Sequence, residues 1–248
     1  MTAPVPEAVV WHDVECGSYE ADLPLWRELA ASAGGGAVLD VGAGSGRVAL
    51  DLLRHGHAVT AVDLDTDLLA ALAQRARAAG LHERLRTERA DARSLTLGPR
   101  RFALILVPMQ TVQLLGGAEG RGKFLRAAHA HLAPGGLIAT ALADDLQAFE
   151  ATEGFAPLPD VREVDGALYS SRPVALRDEG AIFAIERVRE ITDASGHRTS
   201  EDDRICLDRL DADTLSAEGE AAGLVAEPPR RIAETDEHVA SVVVMLRG

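Results

Sequence analysis

Only two cysteines occur among the 248 residues, Cys16 and Cys206. They are too few for a disulfide framework, and nothing in their spacing suggests a metal site. Eight histidines are present, yet none falls at metal-ligand spacing. His55 and His57 flank a turn, His129 and His131 straddle the surface of a predicted helix, and only His238 stands near a strand start. No metal is expected. No apolar run reaches the roughly 20 residues that a bilayer-spanning helix needs, and the first residues carry no basic stretch of the kind that opens a signal peptide. The expectation is a cytoplasmic protein that does not engage a membrane. Basic clusters are missing too. With 25 Lys and Arg against 39 Asp and Glu, a formal charge of −14, the surface would repel the phosphates of a nucleic acid. A small molecule or a peptide is the expected partner. The length suffices for one large domain, or for a domain with an insertion.

What is present concentrates in Val38-Leu-Asp-Val-Gly-Ala-Gly-Ser-Gly-Arg-Val-Ala-Leu50. Val38, Leu39 and Val41 read as a strand covered on both faces. Gly42, Ala43, Gly44 and Gly46 form a turn in which backbone is open to close approach, and Arg47 onward resumes with helical spacing. A strand, a glycine-rich turn and a helix N-terminus together make a ligand site. The dinucleotide fingerprint G-x-G-x-x-G is not met, because the third glycine comes one residue early, and the Gly-Lys-Ser/Thr of a P-loop is absent. Asp40 sits inside the strand, where its charge would repel a pyrophosphate and attract a cationic ammonium.

Further along, Ala58–Val62 predicts a second strand ending at Asp63, about 20 residues past the first glycine, where a carboxylate suits the vicinal hydroxyls of a ribose. Leu64 offers an apolar face to a base, and Asp65 caps the next helix. A third strand, Arg84–Ala90, leads into Asp91 and Ala92. The apolar run Phe102–Val107 predicts a central fourth strand, so Pro108 to Gln113 face the reaction centre beyond its carboxyl end. Gln110 and Gln113 are candidates to orient a substrate, one of them also serving the loop backbone. Ahead of the motif, residues 1 to about 17 read as a mobile lead-in, and Tyr19 to Ala31 predict a helix lying over the ligand loop. Tyr19 is a candidate substrate contact on that helix, whereas Trp26 is better explained by packing. After the fifth strand, Leu137–Leu142, an Asp144-Asp145 pair stands at the ligand edge. Turn signals at Gly166, Asp178-Glu-Gly180 and Asp193-Ala-Ser-Gly196 separate three alternating runs, which predict a three-stranded antiparallel insertion. Tyr169 and Arg172 are its candidate pocket residues.

The pattern Asp40-x-Gly42-x-Gly44-x-Gly46 resembles motif I of the class I S-adenosylmethionine-dependent methyltransferases, and Asp63, Asp91 and the Leu132-Ala-Pro-Gly-Gly136 turn follow in that family's order. The resemblance implies an α/β fold, a Rossmann-like doubly wound seven-stranded sheet with its last strand antiparallel, here carrying an inserted antiparallel sheet. Residues 1–36 would form a lid helix region, 37–150 and 211–248 the cofactor-binding core, and 151–210 the insertion, as a substrate roof or dimer contact. It implies S-adenosylmethionine as cofactor, with S-adenosylhomocysteine as product, Asp91 accepting from the adenine amino group and the Ala92 amide meeting the ring. Pro108 would close the cofactor site. Neither the acidic or aromatic motif of many amine methyltransferases nor the metal-holding Asp of catechol-type enzymes stands after the fourth strand. Insertions of this kind resemble those of N-methyltransferases acting on amino sugars and on peptide N-termini. The expected reaction is therefore methyl transfer to a small molecule or peptide, more readily to nitrogen, since no residue announces itself as a base for a hydroxyl. A small-molecule O-methyltransferase and a non-catalytic S-adenosylmethionine binder are the alternatives, and a nicotinamide oxidoreductase is disfavoured by the glycine spacing. A homodimer is compatible with the insertion.

Overall fold

A computed structural model of the chain describes residues 5–152, 157–235 and 238–248. Its helices are α1 (Glu7–Cys16), α2 (Leu23–Ser32), α3 (Arg47–Arg54), α4 (Thr66–Ala78), α5 (Gly117–Ala130) and α6 (Ala212–Ala221). The strands are β1 (Val38–Val41), β2 (Val59–Asp63), β3 (Leu85–Arg89), β4 (Phe102–Val107), β5 (Leu132–Leu142), β6 (Phe149–Glu150), β7 (Asp160–Val164), β8 (Ala167–Asp178), β9 (Ile182–Thr192), β10 (Arg198–Asp208), β11 (Val225–Ile232) and β12 (Ser241–Arg247). These divide into two units, residues 19–145 with 210–248, and residues 1–18 with 146–209.

In the first unit seven strands form one sheet in the order β11-β12-β5-β4-β1-β2-β3. All four residues of β1 are buried, as a parallel strand between two helical layers requires. Alternation along the strands then sorts side chains to two cores. Val38, Leu104 and Leu106 face Trp26, Leu29 and Leu52, whereas Leu39, Val41, Ile105 and Val107 face Phe124 and Leu125. β1 pairs in parallel with β2 on one side and β4 on the other, so the order reverses at β1 and a crevice opens at its carboxyl end. β12 runs antiparallel to β5, with Val242 opposite Leu142. Its first residue, Ser241, therefore lies at the edge where β5 ends. The doubly wound sheet with an antiparallel last strand is as expected.

Several boundaries differ from the expectation for identifiable reasons. α2 begins at Leu23 with Asp22 as its N-cap and Pro24 in its first turn, so Tyr19 precedes the helix rather than lying on it. β5 starts at Leu132 and contains Pro134-Gly-Gly136. β11 continues through Pro228 and Pro229 because it is an edge strand, where a missing N–H costs no ladder bond, and a register shift between Glu227 and Arg230 absorbs the irregularity. His131 is buried instead of lying on a helix surface. Its Nε2 accepts from the Leu97 amide at 3.2 Å, and Nδ1 faces the Arg100 carbonyl at 3.1 Å.

In the second unit the antiparallel sheet has five strands, not three. β10, β9, β8 and β6 follow in order, and β7 pairs with β8. The predicted mobile lead-in is instead the helix α1, which buries Val9, Val10, Trp11 and Val14. Trp11 meets the Tyr169 ring edge-on at 5.2 Å, and the Arg189 guanidinium stacks over Trp11. Tyr169, a candidate pocket residue, is thus part of this packing. Glu15 completes the contact, accepting from Ser171 at 2.8 Å and from Arg189 through both carboxylate oxygens, with Arg187 at 2.9 Å. Neither Cys16 nor Cys206 forms a disulfide. Among the described residues no helix is long and apolar enough to cross a membrane.

Candidate functional site

The turn between β1 and α3 is built by glycines that a side chain would obstruct. Gly42 has φ +70°, and a Cβ there would stand 2.6 Å from the Thr111 methyl group. The β1 and β4 loops can touch only because that position is glycine. Asp63, at the end of β2, fixes the turn from the other side. Its Oδ2 accepts from the Gly44 amide at 2.8 Å and its Oδ1 from the Asp65 amide at 3.0 Å. Each oxygen keeps a lone pair for a ligand hydroxyl. Leu64 follows, 57 % exposed despite its apolar side chain, and Asp65 caps α4 as expected, accepting from Asp67 and Leu68. Ala43 and Ser45 are buried within the turn.

Asp40 is fully buried in the middle of β1, and neither of its oxygens makes a hydrogen bond. Burial pushes its carboxyl up to about 7; the Arg47 guanidinium opposes the rise, Asp63 and Asp22 add to it, and the Ala49 amide favours the ionised form only slightly. Arg47 does not neutralise it. That guanidinium is committed to Asp22, at 2.7 Å through Nη2, and to the Tyr19 carbonyl, also at 2.7 Å. Asp22 in turn accepts from the Trp26 indole at 2.8 Å, so Trp26 is a packing and hydrogen-bonding residue. Asp22 and Asp40 thus draw on one guanidinium.

The same guanidinium lies 5.1 Å from the Tyr19 ring centroid, and the His238 ring lies 4.7 Å from it on centroids. Burial first, and then the charge of Asp22, raise the Tyr19 phenol above its ordinary pKa. Tyr19, predicted from the sequence, is therefore joined to Arg47, Asp22 and His238. Arg47 and Asp22 were not singled out beforehand, and the only available signal was an Arg directly after the third glycine.

Beyond β4, Pro108 is buried and Met109 adopts φ +55°, an uncommon conformation for a residue with a side chain. Thr111 Oγ1 donates back to the Pro108 carbonyl at 3.1 Å. Gln113 is 1 % exposed. Its amide nitrogen donates to the Ala143 carbonyl at 3.1 Å, and its amide oxygen accepts from the Ala143 amide at 2.9 Å. Of the two candidate glutamines, Gln113 is the one that serves backbone, while Gln110 is half-buried at the start of the short helix Thr111–Leu114. The Gln113 clamp fixes the end of β5, where Asp144 is half-buried and Asp145 exposed.

Asp91 caps the short turn Ala92–Ser94, accepting from the Arg93 amide at 2.9 Å and from its guanidinium at 2.7 Å. Arg93 holds the Asp91 carboxyl below its ordinary value. A cleft of about 520 Å³, lined by Asp91, Arg93, Leu115, Glu119 and Lys123, adjoins it.

Excess acid around a glycine turn suits a cationic ligand and opposes a pyrophosphate. The comparisons agree. Residues 38–136 match the family described as a methyltransferase domain. No curated protein matches the chain. Among solved structures, an S-adenosylmethionine-bound amino pentose methyltransferase of Micromonospora echinaspora, involved in calicheamicin biosynthesis, is 19 % identical with a TM-score of 0.70, and the alignment covers 100 % of each chain. A sugar N-methyltransferase of a Streptoalloteichus species is 19 % identical with a TM-score of 0.70, over 100 % of this chain and 95 % of that one. A glycopeptide N-methyltransferase bound to S-adenosylhomocysteine is 22 % identical with a TM-score of 0.59, over 90 % and 86 %. These likenesses establish the fold, and the matched domain spans Asp40 on β1, Asp63 on β2 and Asp91 in the loop after β3. Residues 38–136 carry a methyltransferase domain, and the chain has the fold of S-adenosylmethionine-dependent methyltransferases.

Proposed function

We propose that the enzyme methylates an amine nitrogen of a small molecule or peptide. The observation that carries the nitrogen assignment is Asp144, a half-buried carboxylate held at the carboxyl edge of β5 by the Gln113 clamp on Ala143. A carboxylate there attracts a cationic acceptor. The sugar and glycopeptide N-methyltransferases that share this fold support the same substrate class.

When bound, S-adenosylmethionine supplies a methyl group already activated for in-line displacement. The chain's residues have to bind, align and exclude water, and alignment of this kind can contribute about 7–11 kcal/mol. Asp63 would accept from the ribose hydroxyls while keeping the Gly44 and Asp65 amides. Leu64 and the Ala92 amide would meet the adenine, Asp91 its amino group, and Asp40 with Gly42, Ala43, Gly44 and Gly46 the charged amino-acid end. Pro108 would back the donor, and Gln110 and Tyr19 would orient the acceptor. An acceptor drawn in as its ammonium cation would first pass a proton to the Asp144 carboxylate or to solvent, because only the free amine has the lone pair that attacks. The Tyr19–His238 ring pair favours one second reading, an oxygen acceptor whose proton passes to His238.

Two measurements test the proposal. In a mixture of an amino sugar, a short peptide and a phenol, the product should carry its methyl on nitrogen, and methylation solely on oxygen or carbon would overturn it. Asp63→Ala should weaken S-adenosylmethionine binding by tenfold or more, roughly the loss of a hydrogen bond to a charged group; unchanged affinity in isothermal titration would refute the ribose assignment.

A further inference from the structure

Resting on the reading that the donor binds at the β1–α3 turn and that Tyr19 orients the acceptor, we propose that Arg47 is a positioning residue. It latches the Tyr19 segment to the cofactor turn, so that a cofactor in the turn sets Tyr19 in place. Arg47 is the first residue of α3 and follows Gly46 directly, which makes its backbone part of the turn. Gly46 has φ +100°, and a Cβ there would stand 2.3 Å from Leu72 Cδ1, so close packing on α4 fixes the path of the chain into α3. Arg75 of α4 donates to the Ser45 carbonyl at 3.1 Å, and Asp63 of β2 accepts from the Gly44 amide at 2.8 Å. These contacts hold the turn to β2 and α4. The Arg47 side chain reaches the other way, to residues 19 and 22 ahead of α2.

There the guanidinium forks onto one carboxylate, Nη2 donating to Asp22 Oδ2 at 2.7 Å and Nη1 to Oδ1, while Nη1 also donates to the Tyr19 carbonyl at 2.7 Å. It stands 5.1 Å from the Tyr19 ring centroid as well. Asp22 is 1 % exposed, and its Oδ2 accepts in addition from the Trp26 indole at 2.8 Å. A forked, charge-assisted pair that is shielded from water keeps one geometry. Tyr19 thus has both its carbonyl and its ring tied to a residue whose own place is set by the turn. A ligand that fills the turn narrows the motion of Arg47, and through Arg47 that of Tyr19. The coupling is reciprocal, and it favours binding of the cofactor ahead of the acceptor.

S-adenosylhomocysteine fills the turn without reacting, and it is the probe. Added to the full chain, it should slow hydrogen exchange at the amides of residues 42–46 and, by about threefold or more, at those of residues 19–26. Trp11 and Trp26 are the two tryptophans, so in Trp11→Phe the emission comes from Trp26 alone. Because Trp26 shares Asp22 with Arg47, that emission should shift when the probe binds. In Arg47→Lys the ammonium cannot fork onto Asp22 and the Tyr19 carbonyl together. The probe's effect on residues 19–26 and on Trp26 should then be lost, while its effect on residues 42–46 remains. An Arg47 that only supports the fold would instead raise exchange at 19–26 with and without the probe alike, leaving the probe's effect intact. That result, or a wild type in which the probe slows 42–46 and not 19–26, would overturn the latch. Should Arg47→Lys not fold, Asp22→Asn takes its place, with the same loss expected at 19–26 and the same persistence overturning the proposal. No binding of the probe to the wild type would refute the cofactor site itself, an outcome distinct from binding without any change at Tyr19.

Discussion

Glu15 in the α1 unit and Asp40 in the seven-stranded unit are both buried carboxylates, and they are treated in opposite ways. Burial alone would raise the Glu15 carboxyl, but Arg189, Arg187 and Ser171 outweigh it and hold its pKa below the ordinary value. Asp40 has no such partners and is pushed the other way, to about 7. One unit closes its buried charge within its own fold, and the other leaves it without a hydrogen-bond partner. A charge whose partners are internal serves stability, whereas a charge left without partners is a candidate for the ligand site.

The largest effect should come from breaking the satisfied side of this contrast. Glu15→Ala takes away the carboxylate that Arg187 and Arg189 share and leaves Arg189 with Asp203 at 3.1 Å, a change that costs about 3 kcal/mol. Urea unfolding should show the loss, and hydrogen exchange should place it in the amides of β8 to β10 and not in those of β1 and β4. The pH dependence follows from the lowered pKa. The Glu15 contribution is fully present above the ordinary carboxyl value of 4.5 and is lost as pH falls through the depressed one.

Asp40→Asn should move stability in the opposite direction. A carboxyl raised from 3.8 to about 7 penalises the fold wherever the unfolded chain is ionised and the native one is not. The penalty is absent below about pH 4, grows as pH rises and is complete above about pH 7, so the substitution should stabilise by about 2–4 kcal/mol at alkaline pH and by little in acid. Melting curves across pH would show it. A stability gain that is equal at both extremes would mean that packing, not charge, is responsible.

The two carboxylates also show what a sequence reader can see. Asp40 was legible because it sits two residues before a glycine in a pattern whose every element is local, and the sheet order followed from apolar runs and turns of the same kind. Glu15 was not, because α1 has no clean apolar stripe and its partners, Ser171, Arg187 and Arg189, come from strands more than 150 residues away. The Arg47–Asp22 pair was hidden for the same reason, since 25 residues separate its members. Gln110 and Gln113 were indistinguishable until β5 brought the Ala143 backbone beside one of them. The two extra strands β6 and β7 are short or polar and pair only through β8, so their own residues carry little signal.

Gln113→Ala probes a satisfied polar contact inside the site-bearing unit. It strands a buried amide and a buried carbonyl of Ala143, at a cost of about 2 kcal/mol. As a positioning residue, Gln113 should affect the acceptor more than the cofactor. The acceptor KM should rise while S-adenosylmethionine affinity changes little, and an equal loss of both would show that the clamp supports the fold only.

The smallest effect is expected at Asp91, where the contrast between internal and external partners is least decided. Its carboxylate already receives three nitrogens of Arg93, yet the pair is exposed, and exposed pairs contribute little to stability. Arg93→Ala should leave the melting temperature unchanged and shift S-adenosylmethionine affinity by less than about threefold, because the Arg93 amide remains to hold Asp91 in place. Asp91→Ala should differ from it, losing about tenfold in affinity for adenine-bearing ligands through a missing acceptor for the amino group. If both substitutions leave affinity unchanged, Asp91 is a cap that closes its bonds internally, as Glu15 does. A loss confined to Asp91→Ala places it with the acids proposed to meet the ligand, as Asp40 is.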